Sequence, residues 1–391
     1  MLEEKLAGKL EPTIMPQLYA KAKTGSVKTW QIGVTKEEDE TAIIWTSHGS
    51  LDGKKQLKPK RIKIGKNIGK SNETTPYEQA VSEAMSSHQK KIDKKYITEI
   101  PNGDNEPDIY LPMLALKLKP EWVRFPCGSQ PKLNGVRCLA KKMTVDLINY
   151  TSRQFKSYND TLGHLTPYLL EMMELMKLFD GEIYRHGWSL QKILRHVKKL
   201  RPNSNQLQYW VYDIAEENMV NSLRHSYYNS AIPDNHPLIV KVPMRIAHNM
   251  DEIDQHHREN IGNGFEGTIV RNLDGTYLFD YRSQDLLKKK DFIDKEFEIV
   301  GAEAEVVTEI VEDEWGNELL NDYNAVVFIC KLPDSDDTFN VRPRGTIADR
   351  VKWLNEIESL KGEMLTVRFL EYSEDGIPTG NTVGIAIRNY E

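Results

Sequence analysis

QPKLNGVRC, residues 130–138, puts one lysine at the end of a strand-like segment and an arginine just past a sharp turn. Near neutral pH a lysine amine is almost fully protonated and a poor nucleophile. Burial, or a neighbouring cation, frees its lone pair. Gly135 fits a tight turn that lets a ligand approach the backbone. Arg137 offers a planar fork for a phosphate. Together they describe a lysine, Lys132, set to attack phosphorus while the phosphate charge is held.

Further along, FDGEIYRHG (179–187) places Asp180 and Glu182 at i and i+2. FEGTIVRN (265–272) starts a strand at Glu266, and LLKKKDF (286–292) carries Lys288 and Lys290, again two apart. On a strand, i and i+2 share a face. Two sources of carboxylate and several cations suit a nucleoside triphosphate with Mg2+: hard oxygens for the metal, lysines for the phosphates.

The bulk properties agree with a soluble enzyme. The 391 residues imply two or three domains, and 39% hydrophobic with 28% charged residues is ordinary for a globular chain. No apolar run approaches the roughly 18 residues of a membrane span, so no membrane partner is expected. The N-terminal MLEEKLAGKLEP lacks a signal peptide's apolar core. Three cysteines without a CxxC exclude a disulfide framework and a cysteine zinc site, and imply a reducing, cytoplasmic setting. The net charge of -6 is unevenly spread. Residues 54–70 hold eight basic and no acidic residues, whereas residues 291–391 hold nine basic against 23 acidic. The basic run, through Lys54, Lys55, Lys58, Lys60, Arg61 and Lys63, is a candidate phosphate-binding strip, or else a solvated lysine face.

Periodicity predicts an α+β chain in three parts. Residues 1–105 hold alternating strands (VKTWQIGV, TAIIWTSHG) and one helix over PYEQAVSEAMSSHQKKIDKKY, with Pro76 in its first turn. Trp30 and Trp45 read as core residues here. PNGDNEPD (101–108) is a turn-rich linker. Residues 106–292 mix strands with helices over HLTPYLLEMMELMKLF and WSLQKILRHVKKL. Met172, Met173 and Met176 read as core filling. His256–His257 has no metal partner at useful spacing and reads as surface. Residues 293–391 hold short strands (NAVVFICKL, TFNVRP, EMLTVRFLEYS) around a helix at RVKWLNEIESLKG, the pattern of a small β-barrel or sandwich.

The order KLNG, TSRQ, DGEI, YWVYDI, FEGTIVR, LLKKK, running from residue 125 to about 295, resembles the covalent nucleotidyltransferases: DNA ligases, RNA ligases and capping enzymes. The likeness is greatest to bacteriophage-type ATP-dependent DNA ligases. It implies a nucleotidyltransferase (ATP-grasp-like ligase) core with a C-terminal OB-fold that closes over nucleotide and duplex. Lys132 is then the residue that becomes a lysyl-AMP. Asn134 stands where many members have Asp. Arg137 and Arg153 hold phosphate or substrate groups. Glu182 contacts the ribose, and with Glu266 serves the metal. Tyr212 stacks on adenine, Gln130 contacts it, and Lys288 and Lys290 grip the α-phosphate. The first block is similar to WGR-like modules.

The implied reaction has three substitutions at phosphorus. Lys132 takes AMP from ATP, AMP passes to the 5'-phosphate of a nick, and the 3'-hydroxyl then displaces it. Nicked duplex DNA is the expected partner and a monomer the expected state. RNA ligation and capping use the same core and stay open as alternatives. A non-catalytic nucleic-acid-binding protein is the rival of a different class, although Lys132, Glu182, Glu266, Lys288 and Lys290 are all retained. NAD as AMP donor lacks both its binding domain and the zinc cysteines. The C-terminal GIPTGNTVGIAIRNYE departs from the basic motif that ends many polynucleotide ligases. One expectation for this acidic block turns Arg342, Arg344, Arg350 and Arg368 inward.

Overall fold

The computed structural model describes residues 13–22, 25–102, 109–312, 318–333, 335–373 and 375–388. The chain is α+β and divides into two compact units, one of residues 1–107 with 292–391 and the other of 108–291.

The first unit begins with a sheet in which β1 (Thr13–Ile14), β3 (Val27–Lys36), β4 (Ala42–Ser50) and β5 (Gln56–Ile62) lie in order, with β2 (Leu18–Lys21) also on β3. Helix α1 (Pro76–Ile92) starts where the sequence predicts. Thr75 and Glu78 cap each other's backbone N–H groups, and Pro76 at the first turn has no N–H to orphan. Ala80 and Ala84 of α1 pack on Trp30, Ile32, Val34 and Ile44. Trp30 and Trp45 are both buried.

The second unit holds two five-stranded sheets. One takes β6 (Leu114–Lys117), β7 (Cys127–Lys132), β13 (Arg245–Ala247), β14 (Gly267–Asn272) and β15 (Arg282–Lys289) in the order β13-β7-β14-β15-β6. The other takes β8 (Val136–Lys142), β9 (Ile148–Ser152), β10 (Leu178–Tyr184), β11 (Gln208–Ile214) and β12 (Ile239–Lys241) in the order β12-β11-β10-β8-β9. β7 and β8 are consecutive yet belong to different sheets. The turn Leu133-Asn134-Gly135 is therefore the crossing point that sets the two sheets beside each other. The longer helices beside them among the described residues are α2 (Thr166–Met172), α3 (Leu190–Lys198), α4 (Asn221–Ala231) and α5 (Met250–Gly262).

Two expectations fail here. The helix predicted through MELMKLF stops at Met172, and the chain turns with Met176 at a left-handed φ of 65° before entering β10. Met173 is buried as expected, but Met176 is 56% exposed and fills no core. His257 is not on the surface. Its ring lies between the Thr268 hydroxyl (3.2 Å) and the Asp291 carboxylate (3.0 Å) on the buried side of α5.

The first unit resumes with β16 (Ile293–Glu312), β17 (Glu318–Lys331), β18 (Thr338–Val341), β19 (Met364–Phe369), the short pair β20 (Glu371–Tyr372) and β21 (Pro378–Thr379), and β22 (Val383–Arg388). The sheet order is β18-β17-β16-β19-β22. The chain just past β18 meets β22 at one bridge, Pro343 to Gly384, so the sheet curls far round without a closed ladder among the described residues. That is a partly open version of the expected barrel, as suits an OB-like sheet. Helix α6 (Ile347–Asn355) starts at a Thr346–Asp349 capping box and lays Trp353 and Leu354 on a Phe297–Phe328 core. Of the arginines expected to face inward, Arg342 and Arg350 share Glu305, and Arg368 pairs with Asp294. Glu305 and Asp294 thus neutralise three of these four arginines, and Arg344 is exposed.

No helix among the described residues is long and apolar enough to cross a membrane.

Candidate active site

A cavity of about 260 Å³ opens within the second unit, walled by both sheets. Strand period places its lining. On the first sheet Gln130 pairs with Ile269 and Ile269 with Lys288, so the three lie in one row on one face. Lys132, Arg271, Leu286 and Lys290 continue that face in steps of two, and all line the cavity. On the second sheet Arg137 pairs directly with Glu182, and both line the opposite wall.

Lys132 ends β7, where its carbonyl accepts the Glu266 N–H at 2.9 Å. That bond fixes Glu266 beside the lysine. One Glu266 carboxylate oxygen accepts from Lys132 Nζ and the other from Lys290 Nζ. Gly267, next in the chain, has φ +156°, and a Cβ there would lie 2.3 Å from the Lys289 carbonyl. The glycine after Glu266 is therefore what lets β14 press against the end of β15. Gly135 has a comparable task. A Cβ there would meet the Ile183 carbonyl at 2.5 Å and Glu182 Cγ at 2.7 Å. It serves the close passage of β10, a packing reason beside the turn the sequence predicts.

Tyr212 owes its position to a bulge. Gly181 pairs with Val211 and Asp180 with Asp213, which leaves Tyr212 as the extra residue on β11. Bulges re-aim side chains, and here the Tyr212 ring lines the cavity while its hydroxyl donates to Glu182 at 3.3 Å. The Arg137 and Arg271 guanidiniums stand 5.7 and 5.5 Å from the ring centroid. Arg137 also grips Asp180, which accepts the Tyr277 hydroxyl at 2.7 Å.

Beneath this floor lies a buried polar network. Arg271 donates to Gln130 Oε1 and to Asp213, each at 2.6 Å, and Arg224 donates to Asp213 at 2.7 Å. Gln130 Nε2 donates to the Tyr228 hydroxyl at 2.9 Å. Gln130, Asp213, Arg224 and Arg271 are each no more than 3% exposed. Two guanidiniums thus share one carboxylate in the protein interior.

Titration follows from these surroundings. Burial pushes the Glu182 carboxyl up to about 7, against the pull of Lys132 and Arg137, and Glu266 and Asp180 add to the push. Lys288 is held below the usual lysine value by burial and by Lys290, Arg282 and Lys132 nearby. The folded Glu182 keeps a proton that the unfolded chain releases near 4.5. Its contribution to stability is therefore present below the ordinary carboxylate range and is lost as pH rises through about 7. Glu182→Gln stays neutral throughout. Its melting temperature is expected to gain on the wild type between pH 5 and pH 8, and parallel melting curves would refute the shift.

The structure brings Gln130, Lys132, Arg137, Arg153, Glu182, Tyr212, Lys288 and Lys290 to the one cavity, with Glu266 at Lys132. Arg153 stands exposed in the turn after β9. Two lining arginines escape the sequence reading. Arg271 closes the FEGTIVR strand, and Arg282 donates to the Ala115 carbonyl at 3.1 Å. The strand alternation that places Lys288 and Lys290 on one face is the signal that finds Arg271.

The basic run of the first unit is largely spent within that unit. Lys55 folds onto the Leu51 carbonyl (2.8 Å), and Lys60 meets Glu83 at 2.7 Å. Arg61 and Lys63 meet Asp322 at 2.9 and 3.3 Å. Lys54 and Lys58 are exposed, with no ion pair among the described residues.

Residues 112–290 match the family described as "ATP dependent DNA ligase domain". Over 405 aligned residues the chain is 26% identical to the DNA ligase of African swine fever virus (isolate Tick/South Africa/Pretoriuskop Pr4/1996), covering 93% of this chain and 92% of that one. Two solved structures share the fold. "DNA binding with a minimal scaffold: Structure-function analysis of Lig E DNA ligases" covers 72% of this chain and 100% of its own at TM-score 0.54 and 14% identity. "Pmar-Lig_Pre." covers 79% of this chain and 72% of its own at TM-score 0.58 and 16% identity.

Proposed function

We propose that this chain, whose residues 112–290 are an ATP-dependent DNA ligase domain, joins a 5'-phosphate to a 3'-hydroxyl at nicks in duplex DNA. The observation that carries the mechanism is one lysine, Lys132, facing a cavity that holds Lys288 and Lys290 with Glu182, and touching Glu266. A lone lysine could merely bind phosphate. A lysine beside a proton acceptor and two further lysines can attack phosphorus.

In the first step Lys132 Nζ bonds to the α-phosphorus of ATP as the bond to pyrophosphate breaks. Nζ sheds two protons in becoming the phosphoramidate N–H: one passes to Glu266, the carboxylate it already contacts, and frees the attacking lone pair, and the second leaves with the pyrophosphate. Lys288 and Lys290 offset charge on the phosphates, and Leu286 and Ile269 offer apolar wall to the base. Tyr212 presents its ring to adenine, with Arg271 and Gln130 bracing it from below. In the second step the N–P bond breaks and AMP moves to an oxygen of the 5'-phosphate. In the third the 3'-hydroxyl attacks that phosphorus, forming the phosphodiester and expelling AMP. Arg137 and Arg153 are the phosphate-holding arginines of this scheme.

Mg2+ fits the donor set as a partner shared with substrate. No group of three or more His, Cys, Asp or Glu suited to a metal occurs among the described residues. Mg2+ in such sites takes one or two carboxylates plus phosphate oxygens. Glu182 and Glu266 would hold it, and the ion would neutralise phosphate charge. The proposed setting is cytoplasmic, with the chain acting as a monomer.

The test is sealing of a 5'-phosphorylated nick with ATP, GTP or NAD as sole donor. ATP alone is expected to support it, with one AMP released per nick closed. Sealing of nicked RNA but not DNA would replace the acceptor in this reading.

A further inference from the structure

The N-terminal sheet has two faces, and cross-strand pairing assigns residues to each. Lys28 pairs with Ser50, Trp30 with His48, and Thr46 with Lys58, so Lys28, Trp30, His48, Thr46 and Lys58 share a face. This is the face on which α1 packs. Glu83 of α1 meets Lys60 (2.7 Å) and Lys66 (3.6 Å) there. The last turn of α1 brings Lys91 to 5.2 Å from the Trp30 ring and 4.8 Å from the Tyr96 ring.

The opposite face carries Ile43, Trp45 and Arg61, and it is occupied. Ile43 and Trp45 are buried, and Ile43 pairs with Arg61. The Arg61 N–H donates to Thr308 Oγ1 at 3.1 Å, and Thr308 donates to Asp322 at 2.9 Å. Arg61 and Lys63 complete the contact through Asp322. The cations of the basic run that face this way are held by the β16–β17 hairpin.

What stays uncompensated is the end of the α1 face. Lys28, Lys58 and Lys94 are exposed, Lys91 is half-buried, and none of the four has an ion pair among the described residues. Their charges reach one another. Burial, with Lys94 and Lys28, pulls the Lys91 value down, and burial, with Lys58 and Lys91, does the same to His48. Like charges gathered without counter-charge are costly alone and favourable against a polyanion. Trp30 is only 6% exposed, so it offers no ring for a base to stack on. The patch thus suits a charged backbone and not bases, which is how a protein holds duplex DNA without reading its sequence.

We propose that Lys28, Lys58, Lys91 and Lys94 form the surface through which the N-terminal module holds duplex phosphates. The proposal rests on reading the chain as a DNA ligase, and it keeps only Lys58 of the 54–63 run, adding Lys28, Lys91 and Lys94 at the uncovered end of the α1 face.

The test uses the full chain and a fluorescent nicked duplex, with affinity measured by anisotropy across a salt series. Each phosphate contact contributes about 0.9 to the slope of log affinity against log salt. The double variant Lys58→Gln with Lys94→Gln is expected to lower that slope by about 1.8. Both side chains are exposed and unpaired, so neither change threatens the fold. The control, Lys55→Gln with Lys63→Gln, is expected to keep the wild-type slope. A wild-type slope in the Lys58 and Lys94 variant, or an equal fall in the control, overturns the assignment. AMP attachment by the wild-type chain is measured in parallel. Attachment with an unmoved slope sinks only this surface, whereas absence of attachment sinks the ligase reading beneath it.

Discussion

Lys132→Ala is expected to lose sealing of a 5'-phosphorylated nick supplied with ATP, by at least about 1000-fold, while still closing a nick that already carries AMP on its 5'-phosphate. The split follows from the bonds involved. Nζ is the atom that forms and breaks a bond to phosphorus in the first two steps. In the third the attacking atom belongs to the DNA and the leaving group is AMP. Removing the amine deletes the covalent route but leaves Lys288, Lys290, Arg137 and Glu182 around the phosphates. It also frees Glu266, which keeps only Lys290 of its two ammonium partners. The two substrates run side by side on one preparation make the comparison. If both are lost, Lys132 is needed for structure or DNA placement and its role as nucleophile is unproven. If both are retained, another group carries AMP.

The second large effect is on stability. Asp213→Ala removes the one carboxylate that Arg224 and Arg271 share, with all three side chains almost fully buried. Breaking a buried pair from one side leaves charge without compensation, at a cost of about 3–5 kcal/mol. Arg224 keeps the Gly275 carbonyl at 3.1 Å, and Arg271 keeps Gln130, so the guanidiniums lose only part of their bonding. The upper end of that range is therefore not expected. Chemical denaturation of the full chain should show the loss, and AMP attachment should fall with it because Arg271 braces Gln130 and Tyr212. A variant within about 1 kcal/mol of wild type would mean that water or rearrangement satisfies both arginines.

The parts legible in the sequence are those fixed by local rules. Strand alternation places Lys288 and Lys290 on one face, whereas of the i, i+2 pair on β10 only Glu182 lines the cavity, Asp180 being held by Arg137 and Tyr277. The α1 start is legible because Pro76 in the first turn is a chemical signal, and the structure adds a Thr75–Glu78 capping box beside it. What escapes is long-range. Arg271 reads as the polar end of an apolar strand until Asp213, 58 residues earlier in sequence, is found against it. Arg61 reads as one more lysine-run cation until Thr308, 247 residues away, accepts its N–H. Tyr212 is placed by a bulge that no alternation pattern announces. The overrun at MELMK has a different origin: apolar residues at helical spacing continue past Met172, but Leu175 and Met176 lie more than half exposed on a turn. Apolar spacing marks a helix only where something buries it.

Capture of AMP by Lys132 is read from the intact mass of the wild-type chain after incubation with ATP and Mg2+, followed by peptide mapping. A gain of one AMP is expected, located on the peptide that carries Lys132 and absent after incubation with GTP or NAD. A folded chain, free of AMP at the start, that gains no AMP or carries it on another residue would rule out Lys132 as the nucleophile.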